Sequence, residues 1–198
     1  MTLWPRVAVP CLYLIAVCTM ALAQSPEGWD RYLDRYRGPY RGQVIDADTK
    51  APLAGAVFVA LWRRDHIYPL HIVTENYAVR ETVTSSEGRF VLEARDIEEG
   101  APRRIRRPEF LIFLPGYGSY PGFQKAPTGF TGGIFEGDGM TVLLPRMEGR
   151  EERRRHLLMI GPHSFSDTPF KDLPSLMQKI NEESLAIGAS PYPPPEKQ

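Results

Sequence analysis

The chain has 198 residues, 24 basic and 24 acidic side chains and a formal net charge of +0. This balance provides no global field that would draw the protein to nucleic acid or to a membrane surface. The two cysteines, Cys11 and Cys18, both lie in a leader that we predict to be removed. The mature chain then lacks disulfides, cysteine nucleophiles and thiolate metal sites, and a hydrophobic core must hold it together.

Residues 1–23 are predicted to be a secretory signal peptide. Arg6 supplies positive charge near the start, an apolar run extends from Val7 to Met20, and Ala-Leu-Ala at positions 21–23 fits the cleavage pattern. The apolar run is short for a membrane span, so we expect no transmembrane helix in the mature chain. The expected location is the bacterial periplasm or the outside of the cell.

A lipid anchor at Cys18 is the alternative to simple cleavage of this leader. Such an anchor needs a small residue immediately before the cysteine, and Val17 occupies that position. The sequence therefore favours cleavage after position 23 over attachment of a lipid to the cysteine.

Residues 25–38 are predicted to form an N-terminal helix. Ser25 fits the N-cap position, Pro26 fits the first turn, and Glu27 lies near the positive end of the helix dipole. Four large side chains then recur at helical spacing and form one apolar stripe: Trp29, Tyr32, Leu33 and Tyr36. We expect this helix to pack on the domain that follows.

Residues 40–146 are predicted to form a β-sandwich, because short strands with turn signals follow one another and no helix separates them. The predicted strands cover residues 40–46, 56–62, 77–84, 89–94, 110–114 and 140–144. The strand 56–62 is apolar on both faces, so one face must meet the opposite sheet and the other needs a cover from flanking helices. Gly88 ends the turn 85–88, where a positive φ is expected.

Residues 147–188 are predicted to be a helical extension, and residues 189–198 an extended, Pro-rich tail. The clearest helix runs from Asp172 to Leu185, with Asp172 as its cap, Pro174 in its first turn and a glycine at position 188 as its stop. Its apolar side chains share one face, which suits the cover that the sandwich requires.

Four short stretches between residues 40 and 117 are characteristic of a known family. They read Gly-Gln-Val-Ile-Asp at 42–46, Pro-Leu-Ala-Gly-Ala at 52–56, Thr-Val-Thr at 82–84 with Gly-Arg-Phe at 88–90, and Pro-Gly-Tyr at 115–117. In this order and spacing the chain resembles the carboxypeptidase regulatory-like domain family. The resemblance implies a transthyretin-like (prealbumin-like) antiparallel β-sandwich of seven strands and a non-catalytic accessory or binding role, with no particular ligand.

The same opening is also similar to that of intradiol ring-cleavage dioxygenases, which hold a ferric ion with two tyrosines and two histidines. Their histidine pair usually lies in an Arg-Pro-x-His-x-His strand, and here Phe110 and Ile112 stand at the histidine positions. Neither side chain can bind iron. A diverged metal oxygenase that uses other ligands stays an alternative, and its candidate ligands are His66, His71, Tyr68 and Tyr77.

The remaining polar residues do not form a recognisable catalytic or metal-binding set. His66 and His71 are close in sequence but lack the third and fourth ligands that zinc and iron sites need. Asp46 and Asp48 have calcium-loop spacing without the other ligands of such a loop, and they fit better as side chains that stabilise a turn. We therefore expect no cofactor, no metal and no enzymatic activity.

Two kinds of surface are candidates for binding. The first is the long loop 116–139, whose aromatic rings can stack on sugars or apolar peptides; its candidates are Tyr117, Tyr120, Phe123 and Phe130. The second is a basic cluster whose guanidinium groups can grip acidic ligands, formed by Arg103, Arg104, Arg106 and Arg107. Loop aromatics also commonly pin a loop to its own domain, and arginine runs also occur as solvated faces.

Together these features predict an exported, non-enzymatic binding or scaffold module of the bacterial cell envelope. Its expected partner is an envelope protein or a glycan, and not nucleic acid. Two alternatives stay open. One is the diverged metal oxygenase, and the other is a structural domain whose helices pack on the sheet and form a homo-oligomer, which the doubly apolar strand permits.

Overall fold

The structure is a computed structural model, and the described residues belong to one compact unit, Asp34–Gln198. The described residues are 38–94, 97, 105–121, 139–160 and 172–192. The predicted signal peptide, the predicted N-terminal helix up to position 37 and the tail beyond position 192 lie outside these ranges. They stay predictions.

Six strands and two helices make up the described part of the chain. The strands are β1 (Tyr40–Asp46), β2 (Val57–Ile67), β3 (Ile72–Val83), β4 (Arg89–Leu92), β5 (Glu109–Phe113) and β6 (Met140–Leu144). The helices are α1 (Arg150–Ile160) and α2 (Pro174–Ala186). The protein is therefore mainly β with two helices after the last strand, as the sequence predicts at this level.

The strands form two three-stranded sheets, with the orders β4-β1-β6 and β3-β2-β5. Three of the strand pairs are antiparallel, but β1 and β6 run parallel, with Gly42 opposite Met140 and Asp46 opposite Leu144. The expectation of a wholly antiparallel arrangement is wrong at this pair. Because most of the domain separates β1 from β6 in sequence, no tight hairpin constrains their relative direction.

The two sheets enclose one apolar core. Val44 of β1, Phe58 of β2, Phe90 of β4 and Ile112 of β5 are each at most 2% exposed and belong to the same cluster. Phe58 stacks on Phe90 between the sheets, with ring centroids 4.3 Å apart. Because successive side chains of a strand point to opposite faces, alternate residues of each strand build this interior.

The other face of β2 builds a second core. Val57, Val59 and Leu61 are at most 1% exposed and pack with apolar side chains of α1 and α2. The helical members of this cluster are Leu157, Ile160, Leu176, Met177 and Ile180. A strand that is apolar on both faces is thus covered by a sheet on one side and by helices on the other, which confirms the prediction from its sequence.

The β2–β3 hairpin is much longer than the sequence suggests. β2 continues to Ile67 and β3 begins at Ile72, whereas we predicted separate strands over 56–62 and 77–84. The pairing of β2 with β5 extends only to Leu61, so the last part of the hairpin is a two-stranded ribbon. Its side chains are partly or fully exposed and lack the apolar alternation by which a strand is recognised.

The turn 85–88 carries the chain from one sheet to the other, because β3 and β4 belong to different sheets. Gly88 has φ +70°, and its carbonyl accepts a hydrogen bond from Val44 N at 2.8 Å. A Cβ at Gly88 would collide with the Val44 carbonyl oxygen. The backbone angle and the close approach both require glycine at this position, as predicted.

Helix α2 begins differently from the prediction. Its N-cap residue is Leu173 and not Asp172, and Leu173 makes no side-chain cap. The carboxylate of Glu81 on β3 takes this role, because it accepts hydrogen bonds from Ser175 N at 2.6 Å and from Leu176 N at 3.0 Å. A negative charge here also complements the helix dipole. The cap comes from a distant strand, so the local sequence pattern does not reveal it.

Candidate binding surface

The end of the β2–β3 hairpin exposes a continuous apolar segment, residues 67–73, here named the hairpin tip. Its large exposed side chains are Ile67 (67%), Tyr68 (50%), Leu70 (96%), Ile72 (58%) and Val73 (44%). Single exposed apolar residues are ordinary, but a contiguous group of this kind marks a site of interaction. Sequence analysis missed this surface because the predicted strands, 56–62 and 77–84, leave the segment between them unassigned.

Contacts within the hairpin tip shape its turn. The Tyr68 N–H donates a hydrogen bond to the His71 carbonyl at 2.9 Å. The Tyr68 ring stacks on the His71 ring, with centroids 4.9 Å apart and an angle of 17° between the planes. Pro69 lies between them and has a restricted φ. A partner therefore meets a preformed surface, which reduces the entropy lost on binding.

Polar contacts brace the ribbon below the tip. Asp65 of β2 accepts hydrogen bonds from Arg106 at 2.9 Å and from Thr74 of β3 at 2.7 Å. These hydrogen bonds hold the pKa of Asp65 below its ordinary value, and the one from Arg106 has the larger effect. His66 lies 2.7 Å from Glu75 across the hairpin. The ribbon thus keeps its shape through side-chain pairs where it lacks a third strand.

The predicted basic cluster is divided between a structural role and the surface. Arg106 is a brace, because its side chain bonds Asp65 and its backbone N donates to the Arg63 carbonyl at 2.7 Å. Arg107 is exposed. Two members of the cluster lie outside the described residues: Arg103 and Arg104. Both described members are exposed, but the Arg106 guanidinium is engaged by Asp65.

The described aromatic candidates are used inside the domain. Tyr117 is partly buried, and its hydroxyl donates to Asp46 at 3.1 Å and accepts from Arg146 at 2.9 Å. Tyr120 is 1% exposed, and its backbone exchanges two hydrogen bonds of 3.0 Å with Ile112. These placements argue against the predicted stacking role of both rings. Two candidates lie outside the described residues: Phe123 and Phe130.

A buried ion pair anchors the segment 115–121, which contains both tyrosines. Glu183 of α2 is 1% exposed, and its carboxylate accepts a hydrogen bond from Gly116 N at 2.8 Å. The same carboxylate receives two hydrogen bonds of 2.7 Å from Arg153 of α1. Sequence reasoning missed this residue. The available signal is its position on the apolar face of α2, three residues after Ile180, where a carboxylate needs a partner.

A buried histidine provides a second anchor. His156 of α1 is 1% exposed, and its Nε2 lies 3.0 Å from Ser119 N and 2.9 Å from Ser119 Oγ. Because the Ser119 N–H must donate, Nε2 is an acceptor and the imidazole is neutral. Burial lowers the pKa of His156 to about 4, although the negative charge of Glu183 opposes this shift. His156 therefore holds Ser119 of the segment 115–121 through these contacts.

Asp46 stabilises the turn after β1, as predicted. Its Oδ1 accepts hydrogen bonds from Asp48 N and Thr49 N, both at 2.9 Å, and the residue is 2% exposed. The hydrogen bond from the Thr49 N–H is the largest cause that lowers the pKa of Asp46 to about 2. The other carboxylate oxygen accepts a hydrogen bond from the Tyr117 hydroxyl at 3.1 Å. Its charge is therefore satisfied within the domain.

The candidate iron ligands have other contacts. His66 is paired with Glu75, and His71 stacks on Tyr68. The guanidinium of Arg64 lies over the Tyr77 ring, 3.8 Å from its centroid. Within the described ranges, no three side chains of His, Cys, Asp or Glu gather closely enough to hold a metal ion. No geometry in these ranges adds support to the oxygenase alternative.

A shallow groove of about 620 Å³ follows the outer strand β3. It is lined by residues 77–81 together with Ile97 and Asp172. Within it, Arg80 donates a hydrogen bond to the Val79 carbonyl at 2.8 Å. A charged side chain placed over the backbone of an outer strand opposes pairing with another chain, so this groove is a poor docking site for a further strand.

No protein-family model matches the chain, and comparison with curated proteins finds no match. Among the residues that the structure describes, no helix combines the length and the apolar character needed to cross a bilayer. Function is therefore inferred from the geometry and sequence of the chain itself.

Proposed function

We propose that this chain is an exported, non-enzymatic binding or scaffold module of the cell envelope, built on a transthyretin-like sandwich of the carboxypeptidase regulatory-like type. The observation that carries the proposal is the hairpin tip, a contiguous apolar surface that the described part of the chain leaves exposed. Holding such a surface in water is unfavourable, so its presence indicates a contact with another molecule.

The sandwich supports a binding role. Its interior is filled by side chains from both sheets, which leaves loops and hairpins to make contacts. The stretches that carry the family resemblance occupy structured positions: Pro52 forms a bridge with Ile45, Gly88 ends the turn between sheets, and Gly116 is bonded to a helix. These placements agree with the fold that the resemblance implies.

The chemistry of the surface favours an apolar partner over a glycan. Sugars need aromatic platforms combined with hydrogen-bonding groups, and the two described tyrosines expected to supply such platforms, Tyr117 and Tyr120, are packed into the domain. The strand that permits a homo-oligomer, β2, has both faces covered within the chain. It does not require a second copy.

Photo-crosslinking in living cells tests the proposal. A photoreactive amino acid replaces Leu70 of the tip in one variant and Leu158, an exposed leucine of α1, in a matched control. We expect light-dependent adducts at position 70 that are absent or several times weaker at position 158. Equal labelling at the two positions, or no adduct with protein or lipid at either, would eliminate the tip as a contact surface.

Export is tested separately by mass spectrometry of the N-terminal peptide. Cleavage after Ala23 predicts a mature chain that starts at Gln24. A chain that keeps the leader, or that starts at a lipidated Cys18, would contradict the predicted processing. The control is a variant with a bulky residue at position 23, Ala23→Leu, in which cleavage should fail.

A further inference from the structure

We propose that the hairpin tip docks onto an anionic lipid bilayer and inserts its apolar side chains at the level of the headgroups. This partner rests on the proposed function, because it is the occupant of the same surface. Three features of the hairpin lead to it: the shape of the tip, its chemistry, and the cations below it.

The tip is narrow and convex. Beyond Leu61 the hairpin is a two-stranded ribbon, which contacts the segment 105–109 through the bridge of Arg64 with Ile105 and through Arg106. Its exposed side chains offer on the order of 300–600 Å² of apolar surface, which is less than the roughly 800 Å² that each partner contributes to a stable protein–protein interface. A bilayer sets no such minimum, because its headgroups and chains rearrange around a convex insertion.

The chemistry of the tip suits the boundary between water and lipid. Tyr68 is an amphipathic ring, and such rings are enriched at this level of membranes. A backbone that enters lipid must satisfy its own hydrogen bonds, and the Tyr68 N–H already donates to the His71 carbonyl. Leu70 is 96% exposed at the end of the turn, so it can enter lipid without any rearrangement of the fold.

The ribbon and the neighbouring segment 105–109 together carry four arginines and three carboxylates. Glu109 is neutralised by Arg63 at 3.3 Å and Asp65 by Arg106 at 2.9 Å. The third of these carboxylates, Glu75, lies 2.7 Å from a ring nitrogen of His66. The three described acidic groups near the tip are therefore engaged with cations or with a hydrogen-bonding ring, and they offer little repulsion to an anionic surface.

Two further arginines add positive charge near the tip: Arg64, whose guanidinium lies 3.8 Å from the Tyr77 ring centroid, and the exposed Arg107. In the part of the chain that the structure describes, Arg64 and Arg107 have no carboxylate within ion-pair distance. Arg64 lies three residues before Ile67, a separation of about 10 Å along a strand. A tip buried by about 5–10 Å would bring this charge within about a Debye length of the headgroup phosphates, while the guanidinium stays over Tyr77.

Vesicle flotation of the purified full chain tests this partner. One vesicle population is phosphatidylcholine alone, and the other is an equimolar mixture of phosphatidylcholine and phosphatidylglycerol. We expect at least about tenfold tighter binding to the anionic vesicles, because each arginine near such a surface contributes about 1 kcal/mol. Raised salt should weaken this preference, since it screens the charges.

Variants separate the apolar and the cationic contributions. Leu70→Asp should weaken binding to anionic vesicles by about tenfold or more, because the transfer of one leucine to lipid is lost. Leu158→Asp is the matched control and should bind as the unmodified chain does. Arg107→Gln should weaken binding about fivefold. All three positions are exposed, so the fold is preserved.

The outcomes distinguish the lipid partner from the proposed binding function of the tip. Equal binding to both vesicle populations, or binding that Leu70→Asp leaves unchanged, overturns the lipid partner. Absence of vesicle binding together with adducts between position 70 and a protein, whether another chain or a second copy, overturns the lipid partner and leaves the proposed binding function in place. Absence of vesicle binding and of any adduct at position 70 overturns both.

Discussion

The hairpin tip and the segment 115–121 contain similar residues in opposite environments. Each is a connection that carries tyrosine and proline. In the segment, Tyr120 is 1% exposed, whereas in the tip Tyr68 is 50% exposed. The segment is buried because side chains from distant elements, such as Glu183 and His156, bond its backbone. Among the described residues, the backbone of the tip is bonded within its own turn. Aromatic composition therefore does not determine whether a connection is available for binding; its polar partners elsewhere do.

The two tyrosines give the largest expected contrast between these regions. Tyr120→Ala should lower the free energy of unfolding by about 3–5 kcal/mol, because a buried ring leaves a cavity. Tyr68→Ala should change it by less than about 0.5 kcal/mol, since the ring lies at the surface. Urea denaturation of both variants measures the difference. Similar losses in both would show that the tip is part of the folded core and not a contact surface.

The anchor of the segment is tested at its buried carboxylate. Glu183→Ala should destabilise the fold by about 3 kcal/mol, because it leaves Arg153 and the Gly116 N–H without their acceptor in a largely buried site. Glu182→Ala is the matched control: this residue pairs with Lys179 at the surface, so its removal should cost less than about 0.5 kcal/mol. Chemical denaturation separates the two. A small effect at position 183 would mean that the segment is held by backbone contacts alone.

The second anchor predicts a loss of stability in acid. Burial lowers the pKa of His156 from 6.5 to about 4. Between these values the unfolded chain binds a proton that the folded chain does not, so stability falls with falling pH by at most ~1.4 kcal/mol per pH unit, and by about 2 kcal/mol over this window. Thermal unfolding across pH measures the slope. His156→Gln should flatten it, while Tyr68→Ala should leave it unchanged; a slope that survives in His156→Gln has another origin.

The smallest expected effect lies at Asp46, whose carboxylate accepts a hydrogen bond from Tyr117 of the segment 115–121. The pKa of Asp46 is lowered from 3.8 to about 2, chiefly by the Thr49 N–H. Its contribution is present above pH 3.8 and is lost as the pH falls toward 2. Asp46→Asn should cost about 1 kcal/mol at neutral pH, and the exposed Asp48→Asn almost nothing. Urea denaturation followed by circular dichroism at neutral pH checks both, and equal stability of the two variants at that pH would contradict the assignment.

Much of the fold follows from local patterns, as particular elements show. The alternation in β1, the two apolar faces of β2 and the glycine at position 88 all predict what the structure contains. The extension of the hairpin through 63–76 does not follow, because a ribbon exposed on both faces has no apolar periodicity. The parallel β1–β6 pair also escapes prediction, since nothing local records which strands become neighbours.

The candidate site was harder to predict than the fold. Tyr117 and Tyr120 were expected at the surface because their loop is rich in glycine and aromatics, and the structure places them against the domain. Leu70 received no role because a short apolar stretch around a proline has no distinctive spacing. Exposure depends on which other elements cover a segment, and that property is absent from any local window of sequence.

By itself, the sequence determined the positions of most strands, the need to cover both faces of β2, and the turns at Asp46 and Gly88. These features depend on periodicity and turn chemistry within a few residues. Only the tertiary structure decided that Glu81 caps α2, that Glu183 holds Gly116, and that the described elements leave the hairpin tip uncovered. The physical reason is distance along the chain: these contacts join residues 67 or more positions apart, and packing alone brings them together.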